Sequence, residues 1–288
     1  MSVVVTGATG HLGRLVVTEL LARGVPASDV VATGRRVEAL ADLAAQGVRV
    51  VASDYADAGS LRAAFEGADT VLLVSGNEVG QRVTQHGNAI EAARAAGVGR
   101  LVYTSAPRAT TTDLVLAPEH KATEELLAAS GLPTTILRNN WYTENYVPTL
   151  EQARATGEVV ASAGDGRVAS ATRADFAAAA AVVLTTAGHE GKVYELGGDT
   201  AWTHHELAAA IGEVLGREVV YRPVSPEEHL AVLTTAGLDE GTAGFVVALD
   251  GNIRDGALAD VTGDLSRLTG RPTTSLVDGL RAAVEPTR

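Results

Sequence analysis

No cysteine occurs among the 288 residues. That absence excludes disulfides, thiolate metal sites, iron–sulfur clusters and a cysteine nucleophile. Lysine is scarce: Lys121 and Lys192 stand against 21 arginines, a ratio that, with the many alanines, reads as coding bias. Long hydrophobic runs are missing. The longest, Phe176 to Leu184, has nine residues, against the roughly 20 a membrane-spanning helix needs. Positive charge is in deficit, with a net charge of −12 and a pI near 5.0. A nucleic acid presents a dense line of phosphates, so this balance argues against such a partner. The residues after Met1, Ser-Val-Val-Val-Thr-Gly, lack the basic region and cleavage site of a signal peptide, so a cytoplasmic protein with no membrane association is expected.

What is present suits a folded protein. Hydrophobic residues make up 46% and charged residues 20%, near the averages for globular chains. The first half alternates strand and helix signals. Apolar runs at Val3–Val5, Val30–Thr33, Val48–Ala52, Thr70–Val74, Leu101–Thr104 and Thr134–Leu137 are separated by helical spacings, such as Leu12, Leu15, Val16 and Leu20. Asp57 is placed to cap a helix carrying Leu61 and Phe65. Parallel strands need crossover helices, so the pattern predicts an α/β fold, a Rossmann-like doubly wound parallel sheet. After Arg138 the alternation loosens. Thr203-His-His-Glu206 and Ser225-Pro-Glu-Glu228 have capping-box spacing. We therefore expect a dinucleotide-binding domain over 1–150 and a smaller C-terminal α/β lobe over 151–288, with strand exchange between them open.

The strongest motif is Gly7-Ala8-Thr9-Gly10-His11-Leu12-Gly13, between a strand and an amphipathic helix. In that context the first glycine permits the tight turn, the second admits pyrophosphate to the backbone, and the third lets helix and strand pack closely. The spacing is GxxGxxG, which resembles the short-chain dehydrogenase/reductase superfamily. Cofactor choice is read after the second strand, where an acid would bind the ribose hydroxyls of NAD and an arginine the extra phosphate of NADP. Here stand Thr33-Gly34-Arg35-Arg36, with no acid, which favours NADPH, with NADH the alternative. Asp54 is placed either near adenine or in a cap.

Longer segments carry a more specific resemblance: Ser75-Gly-Asn-Glu-Val-Gly-Gln-Arg-Val-Thr-Gln-His86, Tyr103-Thr-Ser105, Glu119-His120, Leu137-Arg-Asn-Asn-Trp-Tyr-Thr-Glu-Asn-Tyr146, Ala163-Gly-Asp-Gly166 and Gly188-His-Glu-Gly-Lys-Val-Tyr-Glu-Leu196. Over essentially its whole length the chain resembles the NmrA-like atypical short-chain reductases, most closely the type-2 NAD(P)H:quinone oxidoreductases, with the triphenylmethane reductases as neighbours. The resemblance implies an NADPH-dependent quinone reductase working without flavin, often a homodimer. It also implies that Ser75, Gly76 and Asn77 line the ribose and nicotinamide. Asn139, Asn140, Trp141, Tyr142, Glu144 and Asn145 would close over the nicotinamide, with Ser105 hydrogen-bonding nearby. Packing of a buried tryptophan is the competing reading of that last segment.

One departure bears on chemistry. Ordinary short-chain enzymes pair a tyrosine with a lysine four residues later; if His120 stands at the lysine position, the tyrosine position is Leu116. Tyr103, His120 and Asn140 are then the candidates for a catalytic group, none with a defined role. Reducing a ketone builds a strongly basic alkoxide that needs a proton donor. Reducing a quinone gives a weakly basic hydroquinone anion that water protonates, so a small quinone-like acceptor is expected. Trp141, Tyr142 and Tyr146 would stack its ring. A sensor of NAD(P) that regulates a partner, and a reductase of imines or other specialised intermediates, are the alternatives. His120 and Glu124 read as an i,i+4 surface pair. Adjacent His204 and His205 do not suit a shared metal, and no metal site is expected.

Overall fold

Apolar β-branched runs favour pleated, two-sided burial. In the computed structural model, which describes residues 2–285, they build the central sheet. The strands in chain order are β1 (Val3–Val5), β2 (Val30–Gly34), β3 (Arg49–Ala52), β4 (Thr70–Leu73), β5 (Arg100–Ser105), β6 (Thr134–Asn139), β7 (Glu158–Ala161), β8 (Arg167–Val168), β9 (Val193–Leu196), β10 (Trp202–Thr203) and β11 (Val220–Pro223). The α-helices are α1 (His11–Ala22), α2 (Ala41–Ala45), α3 (Ala58–Phe65), α4 (Arg82–Ala95), α5 (Ala117–Ala129), α6 (Val147–Thr156), α7 (Arg173–Thr185), α8 (His204–Leu215), α9 (Pro226–Thr235), α10 (Glu240–Arg254), α11 (Asp264–Thr269) and α12 (Leu276–Val284). Seven strands form one sheet in the order β3-β2-β1-β4-β5-β6-β9. β1 is central, Val4 lying opposite Val31 on one side and Val71 on the other, both pairings parallel. The order reverses at β1, and ligands of such sheets bind outside the strands' carboxyl ends at that reversal.

The described residues fall into two compact units. Unit 1 comprises the stretch ending at Thr110, with Pro118–Asn139 and Arg173–Glu195; unit 2 comprises Thr111–Ala117, Asn140–Thr172 and the stretch beginning at Leu196. The division expected at 150 therefore falls at the end of β6, and a later segment returns to unit 1. The return completes the sheet with β9 and lays α7 along α1. Local periodicity in the alanine-rich stretch carries no information about that partner.

In unit 1 one sheet face packs Val4, Val31, Val71, Leu73, Leu101 and Tyr103 against Leu61 and Phe65 of α3, Ala89 and Ile90 of α4, and Leu127 of α5. The alternate strand residues Val3, Val5, Leu72 and Val102 are also fully buried, as the period of two requires for a sheet covered on both sides. In unit 2, β7 pairs with β11 in parallel and β8 with β10 antiparallel. Thr203 and Glu206 cap α8 reciprocally, and Ser225 caps α9 with Pro226 in its first turn. Asp57 caps α3 through the N–H groups of Gly59 and Ser60. Among the described residues no helix is long and apolar enough to cross a membrane.

A Cβ on Gly13 would stand 2.5 Å from the Gly7 carbonyl oxygen, a backbone atom that has no rotamer to give. Gly13→Ala is therefore expected to cost about 1–3 kcal/mol by overpacking. Gly244→Ala, inside α10 with open space around it, is expected to gain roughly 0.5–1 kcal/mol. Thermal unfolding midpoints check both; a Gly13→Ala protein as stable as wild type would contradict the packing described.

Candidate active site

The chain leaves β1 through Thr6-Gly7-Ala8-Thr9-Gly10 and enters α1. Gly7 adopts φ +60°, a left-handed value that favours glycine. The Ala8 N–H donates to the Thr33 carbonyl at 2.8 Å and the Gly10 N–H to the Gly7 carbonyl at 2.9 Å, which closes the turn. Gly10 caps α1 without a side-chain acceptor, and the first turn holds no acidic residue. The N–H groups at the positive end of this 12-residue helix therefore remain available to an anion. Ala8 is buried, and His11 is exposed. At the end of β2, a Cβ on Gly34 would lie 2.8 Å from Thr9 Oγ1, so the turn and the strand end touch.

The other side of the turn is tied to β4. Thr6 Oγ1 donates to the Leu72 carbonyl and accepts from the Val74 N–H, each at 3.0 Å. Tyr55 Oη donates to the Val74 carbonyl at 2.6 Å and lies 2.6 Å from Thr6 Oγ1. The Ser75 N–H donates to Thr104 Oγ1 at 2.9 Å. The Gly76 N–H donates to His86 Nε2 at 3.0 Å, so that nitrogen is bare and the proton sits on Nδ1, 3.0 Å from Thr123 Oγ1. Thr123 in turn donates to the Glu119 carbonyl at 2.8 Å. Arg82 Nε donates to the Gly76 carbonyl at 2.9 Å, while its guanidinium pairs with Glu119 at 2.6 Å. Glu119 also accepts the Gly80 N–H at 2.8 Å. Burial first, then the neighbouring His120 ring and the Arg82 cation, push the His86 pKa down to about 3. A neutral ring is what the Gly76 N–H requires.

Unit 1 thus gathers Gly7–Gly13, Arg35 and Ser75–Asn77 along the carboxyl ends of β1, β2 and β4. Arg35 and Arg36 are exposed. Arg35 pairs with Glu78 at 2.7 Å. Asp54 Oδ1 accepts the Ala56 N–H at 2.9 Å and so shapes the turn before α3, whose N-cap is Asp57. Ser105 donates to Glu124 at 2.6 Å. Glu124 pairs with Arg138 at 2.7 Å, and Glu195 does so at 2.8 Å. The expected His120–Glu124 pair is therefore not formed; i,i+4 spacing gives reach, but the half-buried guanidinium of Arg138 attracts the carboxylate more strongly than a neutral ring.

Two catalytic candidates are withdrawn into the core. Tyr103 is 0% exposed and His120 6%, and the phenol lies 2.7 Å from His120 Nδ1. Burial raises the tyrosine pKa and, with Arg82, lowers that of His120 to about 3. Asn139, at the end of β6, is buried. In unit 2, the Asn140 side chain donates to the Leu258 carbonyl at 3.2 Å and accepts the Trp141 N–H at 2.7 Å, a structural use of both ends of the amide. Trp141, Tyr142, Glu144 and Asn145 are half-buried, on a segment tied to Ala171 through Trp141 and Thr143. Tyr146 is buried, its ring 4.9 Å from that of Trp202 and edge-on to it, so it packs the interior of unit 2 and presents no free face for stacking.

Sequence reading missed Tyr55, Arg82 and His86, whose polar atoms all meet main-chain atoms of the segment after β4. It also missed a buried Ser162–His229–Asp250 cluster. Both Ser162 Oγ and Asp250 Oδ2 approach the same nitrogen, His229 Nδ1, at 3.2 and 3.0 Å. A proton relay needs the serine and the carboxylate on opposite nitrogens, so the cluster braces unit 2. Among the described residues no three histidines or acids are grouped to hold a metal ion.

Strand order, glycine turn, open helix end and arginines after β2 together define a Rossmann-type dinucleotide-binding protein. The family described as NAD(P)H-binding matches residues 7–187, and the chain belongs to it. The chain is 47% identical over 278 residues to quinone oxidoreductase 2 of Escherichia coli K12, covering 96% of the chain and 97% of that protein. The crystal structure of NADPH-dependent quinone oxidoreductase from E. coli complexed with NADPH matches with a TM-score of 0.94 at 46% identity, over 98% of this chain and all of that one (100%). Citrobacter triphenylmethane reductase complexed with NADP(H) matches with a TM-score of 0.93 at 40% identity, over 98% of this chain and 100% of that one.

The two buried imidazoles predict acid sensitivity. Unfolded histidines take up protons below about pH 6.5, whereas His86 and His120 stay neutral in the fold down to about pH 3. The unfolded state then binds more protons, so this stability is complete above about pH 6.5 and is lost as pH falls, by about 2 kcal/mol per histidine at pH 5. Urea midpoints at pH 7.5 and pH 5 check the sign, and equal midpoints would contradict it. His86→Gln is expected to remove part of the pH dependence while lowering stability at pH 7.5.

Proposed function

We propose that the chain is an NADPH-dependent reductase that passes hydride directly to a quinone, without flavin and without a catalytic tyrosine. The observation that carries this reading is the acid-free, glycine-lined opening of α1 beside two exposed arginines. Similarity to a protein named quinone oxidoreductase 2 supports the acceptor class. Gly7, Ala8, Thr9, Gly10, His11, Leu12 and Gly13 hold the pyrophosphate, Arg35 and Arg36 the 2′-phosphate, and Ser75, Gly76 and Asn77 the nicotinamide ribose.

When bound, NADPH supplies a hydride from its nicotinamide ring, and a proton from water completes the hydroquinone, leaving NADP⁺. The chain contributes position and orientation. Burial of Tyr103 and His120 removes the side chains that would serve as proton donors to an alkoxide, so a delocalised hydroquinone anion is the product this site tolerates. Among the described residues Arg36 has no ion-pair partner, which leaves its charge for a phosphate.

Anaerobic oxidation of NADPH by a small benzoquinone, measured above a protein-free blank, is expected to be saturable and weaker with NADH. Absence of turnover in protein that binds NADPH would contradict the proposal. The Arg35→Ala/Arg36→Ala double variant is expected to bind NADPH about 10–100-fold more weakly, the loss of charge-assisted hydrogen bonds, with NADH binding little changed. Unaltered NADPH affinity would overturn the assignment of the 2′-phosphate.

A further inference from the structure

The cation assigned to the 2′-phosphate already has a carboxylate on it. Arg35 Nη1 lies 2.7 Å from Glu78 Oε1. Arg35 follows β2 and Glu78 follows β4, and β1 with its glycine turn stands between those strands in the sheet. The ion pair therefore bridges the two sides of the dinucleotide turn. Glu78 is not a loosely held loop residue. Its second oxygen accepts from Gln85 Nε2 at 2.7 Å, and Gln85 is itself buried on α4. The segment on either side is pinned by main-chain contacts, Gly76 by His86 and Arg82 and Gly80 by Glu119. The carboxylate is thus fixed beside Arg35 by bonds that do not depend on Arg35.

We infer that Glu78 sets the cofactor preference by competing with the 2′-phosphate of NADPH for Arg35. This rests on the reading of Arg35 as a 2′-phosphate ligand. A phosphate arriving at Arg35 displaces or shares the Glu78 contact and meets a like charge. A cofactor with a free 2′-hydroxyl meets neither cost, since a carboxylate beside the ribose accepts a hydrogen bond from that hydroxyl. Glu78 therefore narrows the advantage of NADPH over NADH that the arginine pair creates.

The test compares NADPH and NADH affinities, read from nicotinamide fluorescence, in wild type, Glu78→Gln, Arg35→Ala and the double variant. Glutamine keeps the size of the side chain and its capacity to bond Gln85 while removing the charge. Glu78→Gln is expected to tighten NADPH by about two- to fivefold, the range an exposed ion pair supports, with NADH unchanged or weaker. That gain should fall away in the Arg35→Ala background and at high salt. An unchanged NADPH-to-NADH ratio, or a parallel change in both affinities, overturns the inference and shows a merely structural Glu78. Weaker NADPH binding also overturns it, and shows that Glu78 orients Arg35. If Arg35→Ala leaves NADPH affinity intact, the phosphate reading fails and this inference with it.

Discussion

The close approach of α1 to the end of β1 is the contact on which the dinucleotide edge depends. Gly13 sits against the Gly7 carbonyl with no room for a side chain, so the helix begins within one turn of the strand and its N–H groups open at the carboxyl edge of the sheet. The same geometry brings α1 against α7, which covers that face of the sheet with a segment that returns from far along the chain. It also sets Thr9 against Gly34, so that the arginines after β2 stand beside the turn.

The other half of the edge is organised by hydrogen-bond direction more than by charge. A backbone N–H at Gly76 needs an acceptor, and His86 supplies one only as the neutral Nδ1–H tautomer. Burial maintains that tautomer, and Thr123 and the Glu119 carbonyl carry the donor sequence onward. Arg82 satisfies the opposite end of the same peptide segment and is neutralised by Glu119. Polar groups buried this way must all be satisfied together, which explains why an edge exposed to a charged ligand rests on a largely neutral interior.

Much of the fold was legible in the sequence, because β-branched runs, helical spacing and caps are local signals. The six strands β1 to β6 match the apolar runs within a residue or two, and the Thr203–Glu206 box formed as its spacing required. The glycine turn was legible for the same reason: each glycine answers a local steric demand. Other features depend on partners that local spacing does not name. His120 had Glu124 in reach one turn away and met Tyr103; Glu124 met Arg138 and Ser105. Tyr146 sat in an aromatic-rich segment that suggested an open ring, but Trp202, distant in sequence, claimed it. Glu78 and His86 lay inside the segment that carried the family resemblance, yet their roles come from side chain to main chain contacts that sequence distance does not encode.

The claim at the centre is that hydride passes from nicotinamide to quinone in one step on a protein that holds no flavin. The most direct measurement is the kinetic isotope effect with NADPH deuterated at nicotinamide C4, using each diastereomer in turn, on flavin-free protein under anaerobic conditions. The expected result is benzoquinone turnover with a primary isotope effect for one diastereomer and none of that size for the other, as a single fixed face of the ring requires. Turnover that appears only after flavin is added would contradict it.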